Sequence, residues 1–349
     1  MNNTSTNKPS LLLVIIAFAI VYIVWGSTYF FIQMAIHGFP PMMMGALRFF
    51  TAGILMLAWC YIKGDRIWVL KNVITSGISG LSMLFVATGL IIWIEKIVPS
   101  SIVAIMVSAN PIWFVVLDKA NWKINLSNKT TIGGIVLGFG GVLLLFGEAL
   151  TKSLAGSISP AQVTGLLLLL VSPIAWCGGS LFSKKRGNNG PARLNTAWQM
   201  VIAGLAFVLA SLFRGEYHGF QFNTVPMQAW MALAYLIVFG SIGAFTAYVW
   251  LLSVKPATIV STHSYVNPVI AVLLGVLFAG ESISGLQVFG LAVILLSLLL
   301  VNFTKYSFNF RLLNRMSNLK ASIIKRFGKP AAQVNTYMNL NESTCVPCK

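Results

Sequence analysis

Apolar residues fall in long blocks separated by short polar breaks. Ten blocks stand out: 11–34, 42–62, 72–94, 99–118, 130–147, 161–183, 195–213, 228–252, 256–279 and 285–303. A helix crossing hydrocarbon needs about 20 mostly apolar residues, so each block predicts a membrane-spanning helix. Gly and Pro interrupt several of them, which spanning helices tolerate better than soluble ones. The first block is too long for the apolar region of a cleaved signal peptide and has no clear small-residue cleavage site.

The blocks also repeat. Residues 99–111 align without a gap on 256–268, agreeing at Pro99/Pro256, Ile102/Ile259, Val103/Val260, Asn110/Asn267 and Pro111/Pro268. The register continues to Gly133/Gly290. A register held that long marks a duplicated unit. Five blocks precede the polar stretch 148–160 and five follow it, and an odd number per unit turns the second copy upside down. The expected fold is therefore an all-α membrane protein with ten transmembrane helices in a 5+5 inverted repeat. Its units are 11–147 and 161–303, followed by a basic cytoplasmic tail, 304–349. Inverted repeats are a recurring transporter plan, with the substrate site near the midplane between the units.

Composition agrees. Only 9% of the 349 residues are charged and 57% are hydrophobic, against about 25% charged in soluble domains. The net charge of +17 invites a nucleic-acid reading. The basic residues, however, lie between apolar blocks and near the C-terminus, not on one soluble face. The expected partners are a small-molecule substrate and the lipid bilayer, with no nucleic acid. Lys and Arg set the orientation. With the N-terminus inside, inner loops hold Lys63, Arg66, Lys71, Lys119, Lys123, Lys129, Lys184, Lys185, Arg186, Arg193 and Lys255, while outer loops hold only Lys96, Lys152 and Arg214. Both termini are expected in the cytoplasm of a bacterial inner (plasma) membrane. In the tail, Leu312, Met316, Leu319, Ile323 and Phe327 recur at helical spacing among Arg311, Arg315, Lys320, Lys325 and Arg326. That predicts either a basic amphipathic helix on the anionic inner leaflet or a solvated tail.

Trp25-Gly26-Ser27-Thr28-Tyr29-Phe30, then Pro40-Pro41 and Arg48-Phe49-Phe50, resemble the first two helices of the EamA family in the drug/metabolite transporter superfamily. Ala109-Asn110-Pro111 and Val266-Asn267-Pro268 are similar to the fourth-helix signature of each EamA unit, and Gly280-Glu281 fits before the last helix. The first unit departs from the pattern, with Asp118-Lys119-Ala120-Asn121 in place of the usual Gly-Glu region. The resemblance covers 11–303. It implies a ten-helix secondary transporter, often an exporter of amino acids or other small metabolites.

The residues that carry chemistry are few. Proline inside a helix frees the carbonyl four residues earlier, so Pro111 and Pro268 are expected to free Val107 and Ser264. Asn110 and Asn267 lie close to mid-helix and either face each other across a central cavity or bridge helices. His263, one turn before Asn267 and on the same face, either exchanges a proton, with an ordinary pKa of about 6.5, or is a neutral packed imidazole. Trp25, Tyr29, Trp113, Trp176 and Tyr248 join them as substrate-binding candidates. Their ring faces suit aromatic, amphipathic or cationic solutes, or simple packing. Arg48 with the two prolines makes a gate-or-structural set: it either meets an anionic substrate or gate, or snorkels to headgroups. The seven acids, Asp65, Glu95, Asp118, Glu148, Glu216, Glu281 and Glu342, lie at block ends, in loops or in the tail. Coupling must then use His263, carbonyls or an edge acid such as Glu95; uncoupled diffusion is equally open.

Rival readings are weaker. Gly77-Ile78-Ser79-Gly80 matches a GxSG nucleophile motif but sits in a Gly/Ser-rich run suited to packing. No filter-like run argues for a channel. Cys345 and Cys348 supply two metal ligands where zinc needs four, so neither metal nor cofactor is expected. Gly134 and Gly138 form a GxxxG that permits close packing within the fold or in a homodimer.

Overall fold

The computed structural model describes residues 10–300, apart from 126–128, 156–158, 187–190 and 298. The tail, 304–349, with its expected amphipathic helix and Cys345/Cys348, lies outside the described residues. Among these there is no strand. The helices are α1 Leu11–Ile36, α2 Pro41–Ile62, α3 Leu70–Ile94, α4 Ser100–Leu117, α5 Lys129–Leu154, α6 Pro160–Lys185, α7 Ala192–Phe213, α8 Met227–Val254, α9 His263–Phe278 and α10 Gly285–Ser297. Among the described residues seven, α1–α4 and α6–α8, are long and apolar enough to cross a membrane; α9, α10 and the apolar part of α5 are shorter.

Proline punctuates the chain. Pro40, Pro99, Pro191 and Pro226 sit just before helices in extended conformation, and Pro41 and Pro160 occupy first turns, where a missing N–H costs nothing. Gly64, Gly215 and Gly280 end α2, α7 and α9 with φ of +75°, +65° and +65°, a conformation open to glycine. Large apolar side chains such as Ile15, Leu55, Leu143, Leu209 and Leu277 point outward, while Met43, Met83, Phe114 and Phe207 are buried. Such an apolar exterior suits lipid, not water.

Close backbone approach organises the interior. α2 and α7 meet broadly. A Cβ on Gly53 would stand 2.6 Å from Val201 N, and one on Gly204 2.5 Å from Phe50 N. α7 lies equally close to α3, where Gly80 touches the backbone of Gln199. Ser79 there donates to Ser76 O and accepts from Gln199 Nε2, so the GxSG run packs helices. Gly138 of the GxxxG faces Ile112 and Ser297 within the chain. α1 packs on α8 and α9, α6 on α3 and α4, and α4 on α9.

Three features differ from expectation. α3 and α8 each contain a π stretch, Leu81–Thr88 and Leu236–Phe245. Block 99–118 is severed at Ser108 and Ala109, so Pro111 opens a second helical piece instead of bending a continuous rod. Block 256–279 is severed at Ser261 and Thr262, leaving a one-turn lead-in, Ala257–Val260, and Pro268 inside α9.

Contacts define two faces. On one, Arg193 forks onto Asp65 (2.7 and 2.8 Å), Trp198 Nε1 donates to Ile67 O, and Lys184 Nζ donates to Leu252 O and Lys255 O. On the other, Glu216 accepts from Met42 N and Met43 N at the start of α2. There Glu281 accepts from Ser100 N, Ser100 Oγ and Ser101 N at the start of α4. Carboxylates suit helix N-termini, whose free N–H groups carry partial positive charge.

Candidate functional site

The π stretches, the severed α4 and α9, and the middles of α1, α2 and α6 surround one cavity of ≈ 70 Å³. Its lining includes Trp25, Tyr29, Arg48, Asn110, Trp176, His263 and Asn267. A π turn widens the helix and displaces backbone from the α path, which is why such turns gather at functional sites. Here they bring Leu84, Thr88, Gly240 and Phe245 to the wall.

An aromatic cluster forms one side. Trp25 packs edge-on against Trp176 (5.2 Å between centroids) and His263 (5.2 Å), and tilted against Tyr248 (4.8 Å). Its Nε1 donates to Gly240 O at 3.2 Å. Trp176 Nε1 donates to Tyr248 Oη at 3.0 Å, and that hydroxyl also bonds Ser180 Oγ at 2.8 Å. Tyr248 is fully buried behind the wall, where it fixes the Trp176 ring.

The two asparagines reach the same cavity from opposite helices. With its amide oriented to satisfy its neighbours, Asn267 donates to Tyr22 O (3.1 Å) and His263 O (2.9 Å) and accepts from His263 Nδ1 (3.2 Å). That places the imidazole proton on Nδ1 and leaves Nε2 an acceptor, without a partner. Asn110 Oδ1 is also buried and unpartnered, while its backbone oxygen accepts from Cys177 Sγ. Val107, whose carbonyl Pro111 was expected to free, lines the cavity. Pro111 and Pro268 are buried beside the asparagines.

Trp113 does not line the cavity; it packs edge-on against Phe139 at 5.5 Å. Glu95, expected as an edge acid, is 3% exposed, and neither of its oxygens has a hydrogen-bond partner. Sequence reasoning missed Thr28, Thr88, Ser172, Phe49, Phe245 and Gly240. Helical spacing was a usable signal for two of them, since Thr28 follows Trp25 by three residues and Ser172 precedes Trp176 by four. The residues brought in by the π stretches carried none. Among the described residues no group of three or more His, Cys, Asp or Glu side chains is placed to hold a metal ion.

The EamA-like transporter family model matches the chain twice, over residues 12–147 and 163–303. The chain is 33% identical over 291 residues to the uncharacterized inner membrane transporter YedA of Escherichia coli K12, covering 82% of this chain and 90% of that one. It is 26% identical over 291 residues to a probable amino-acid metabolite efflux pump of Salmonella typhimurium LT2, covering 81% and 92%. A crystal structure 16% identical superposes with a TM-score of 0.58 over 84% of this chain and 97% of the other, a likeness of fold. With two matches that together take in most of its length, this apolar, all-helical chain belongs to the EamA-like transporter family of the drug/metabolite transporter superfamily and is a multi-pass membrane transporter.

Proposed function

We propose that the protein is a secondary carrier, not an enzyme, that moves small organic metabolites across a bacterial inner membrane by alternating access, with export as its direction. The observation that carries this reading is the central cavity, where Asn110 from α4 and Asn267 from α9 share a wall with aromatic rings. The names of the relatives, an inner membrane transporter and an amino-acid metabolite efflux pump, point the same way. The proposed substrate-contacting set is Trp25, Tyr29, Asn110, Trp176, His263 and Asn267, with Tyr248 acting through Trp176.

The proposed architecture is ten spans in two inverted units, 11–147 and 161–303. The contacts support it by their exchange pattern. If α1–α5 are swapped for α6–α10, the α1–α9 contact maps onto α6–α4, and α1–α8 onto α6–α3. The α2–α7 and α4–α9 contacts map onto themselves, and the two π stretches trade places. The basic loops put both termini in the cytoplasm.

The test is counterflow in vesicles carrying the purified protein. A carrier gives saturable uptake that an excess of unlabelled solute on the far side accelerates; a channel gives neither. Candidate solutes come from growth of an expressing strain on toxic amino acids, analogues and drugs. No protection and no counterflow for any of them would remove the reading.

A further inference from the structure

Arg48 is 4% exposed, yet it lines the cavity. Its Nε donates to Ser241 Oγ at 2.9 Å and its guanidinium lies 4.7 Å from the Phe49 ring centroid. Nη2 lies against Gly240, where an added Cβ would stand 3.1 Å away. Nη1 has no partner. Among the described residues no carboxylate is within ion-pair distance. Glu95 is close enough for its charge to be felt, but its own oxygens are unpartnered, so the two are separated. A buried cation with no carboxylate bonded to it costs several kcal/mol, roughly. A guanidinium fork with a free edge is also the side chain best shaped to hold a carboxylate.

Beside the Tyr29 hydroxyl and the Asn110 amide N–H groups, which can donate, the rest of the polar lining presents acceptors. His263 Nε2 and Asn110 Oδ1 are unpartnered. Thr28, Thr88 and Ser172 give their hydroxyl protons to Trp25 O, Met83 O and Ala87 O, so their remaining lone pairs accept. The indole N–H groups of Trp25 and Trp176 are already engaged. Trp25 separates the poles. Its Nε1 bonds Gly240 beside Arg48, and its ring meets His263 edge-on. The cavity, ≈ 70 Å³, has room for about five water-sized groups.

We infer that the transported solute is a compact carboxylate, with its anionic group seated on Arg48 and a hydrogen-bond donor, an ammonium or a hydroxyl, seated on Asn110 Oδ1 and His263 Nε2. This deepens the carrier reading and rests on it. Arg48 becomes a specificity-determining residue of the cavity, beyond any part it plays in holding Ser241.

The experiment is thermal stabilisation of the purified full-length protein by a panel of small α-amino acids and 2-hydroxy acids. Each acid is matched with its amide, and each amino acid also with its N-acetyl derivative. Stabilisation is expected from at least one acid, and its amide is expected to bind about 30-fold more weakly or worse, the loss typical of an unpaired buried charge. Arg48→Gln should lose the acid by a similar factor, and Arg48→Lys should recover part of it. Asn110→Ala should keep the acid-over-amide preference while losing discrimination against the N-acetyl derivative. An amide that binds as well as its acid, or an unchanged affinity in Arg48→Gln, overturns the inference. If Arg48→Gln fails to fold, the acid–amide pair on the wild-type protein decides alone. Binding and vesicle counterflow confined to amides would sink this inference and leave the carrier standing. Silence across the panel and in counterflow would sink both.

Discussion

α4 and α9 carry stretches of sequence, 99–111 and 256–268, that align without a gap, but their Asn-Pro pairs are held differently. In α4 the helix stops just before Asn110, so Pro111 starts a new piece and the asparagine oxygen has no partner. In α9 the break comes earlier, before His263, and Asn267 is tied to His263 and Tyr22 O. The first copy carries Met106 where the second carries His263, so it lacks the polar group that would occupy its asparagine. The helix starts differ too. Half-buried Glu281 clamps α4, whereas the lead-in to α9 relies on exposed Lys184 bonding nearby carbonyls. Two matching sequences thus leave one asparagine oxygen unpartnered and the other asparagine tied to its own helix and to α1.

The hardest blow to this contrast falls on the clamp. Glu281→Ala strips an acceptor from two backbone N–H groups and one hydroxyl, and should lower stability by about 3 kcal/mol or more. The readout is the apparent melting temperature in detergent. Glu281→Gln, which keeps one accepting oxygen, should recover part of the loss. Lys184→Ala should cost about 1 kcal/mol or less. Equal losses would mean that the two helix starts are held alike.

The asparagines come next. His263→Met makes the second copy resemble the first and deprives Asn267 of its partner, so it should cost about 1–3 kcal/mol. Asn110→Ala breaks no side-chain hydrogen bond of Oδ1. It should leave the melting temperature nearly unchanged while strongly impairing counterflow. If Asn110→Ala melts early and transports normally, the division of roles is reversed.

Much of this was legible beforehand, for physical reasons. Block length and apolarity found the helices because hydrocarbon demands them, and the gapless register of 99–111 on 256–268 pointed at both asparagines. Trp25 and Tyr29 were legible as aromatics four residues apart within one span, and Trp176 as an aromatic within another. The breaks at Ser108 and Ser261 were not, because a proline says that a helix is disturbed nearby but not on which side. The π stretches were invisible, since Leu81–Thr88 and Leu236–Phe245 are mostly apolar like the spans around them and hydropathy does not register a widened turn. Trp113 misled because its place three residues past Asn110 puts it on nearly the same face of an ideal helix, yet its ring packs against Phe139 and not into the cavity. Arg48 was visible as a charge within a span, but its free Nη1 depends on how far Glu95 lies from it, which no linear pattern records.

The mildest test lies on the face where α9 begins. Arg193 holds Asp65 in a two-pronged exposed pair, and those hydrogen bonds keep the Asp65 carboxyl below its ordinary value. A carboxylate whose pKa is lowered by folding stabilises the fold above the unfolded value of about 3.9 and loses that contribution as pH falls through the folded value. Asp65→Asn should therefore melt slightly below the wild type at neutral pH, the smallest change in the series because solvent screens the pair. The gap should close as the buffer is acidified below the unfolded value. Glu281 is half-buried and acts on the fully buried Ser100 and Ser101 on the opposite face, where solvent screens less, so added salt should narrow the Asp65 gap more than the Glu281→Ala gap. A salt response of equal size in both variants would erase the distinction between a half-buried clamp and an exposed tether.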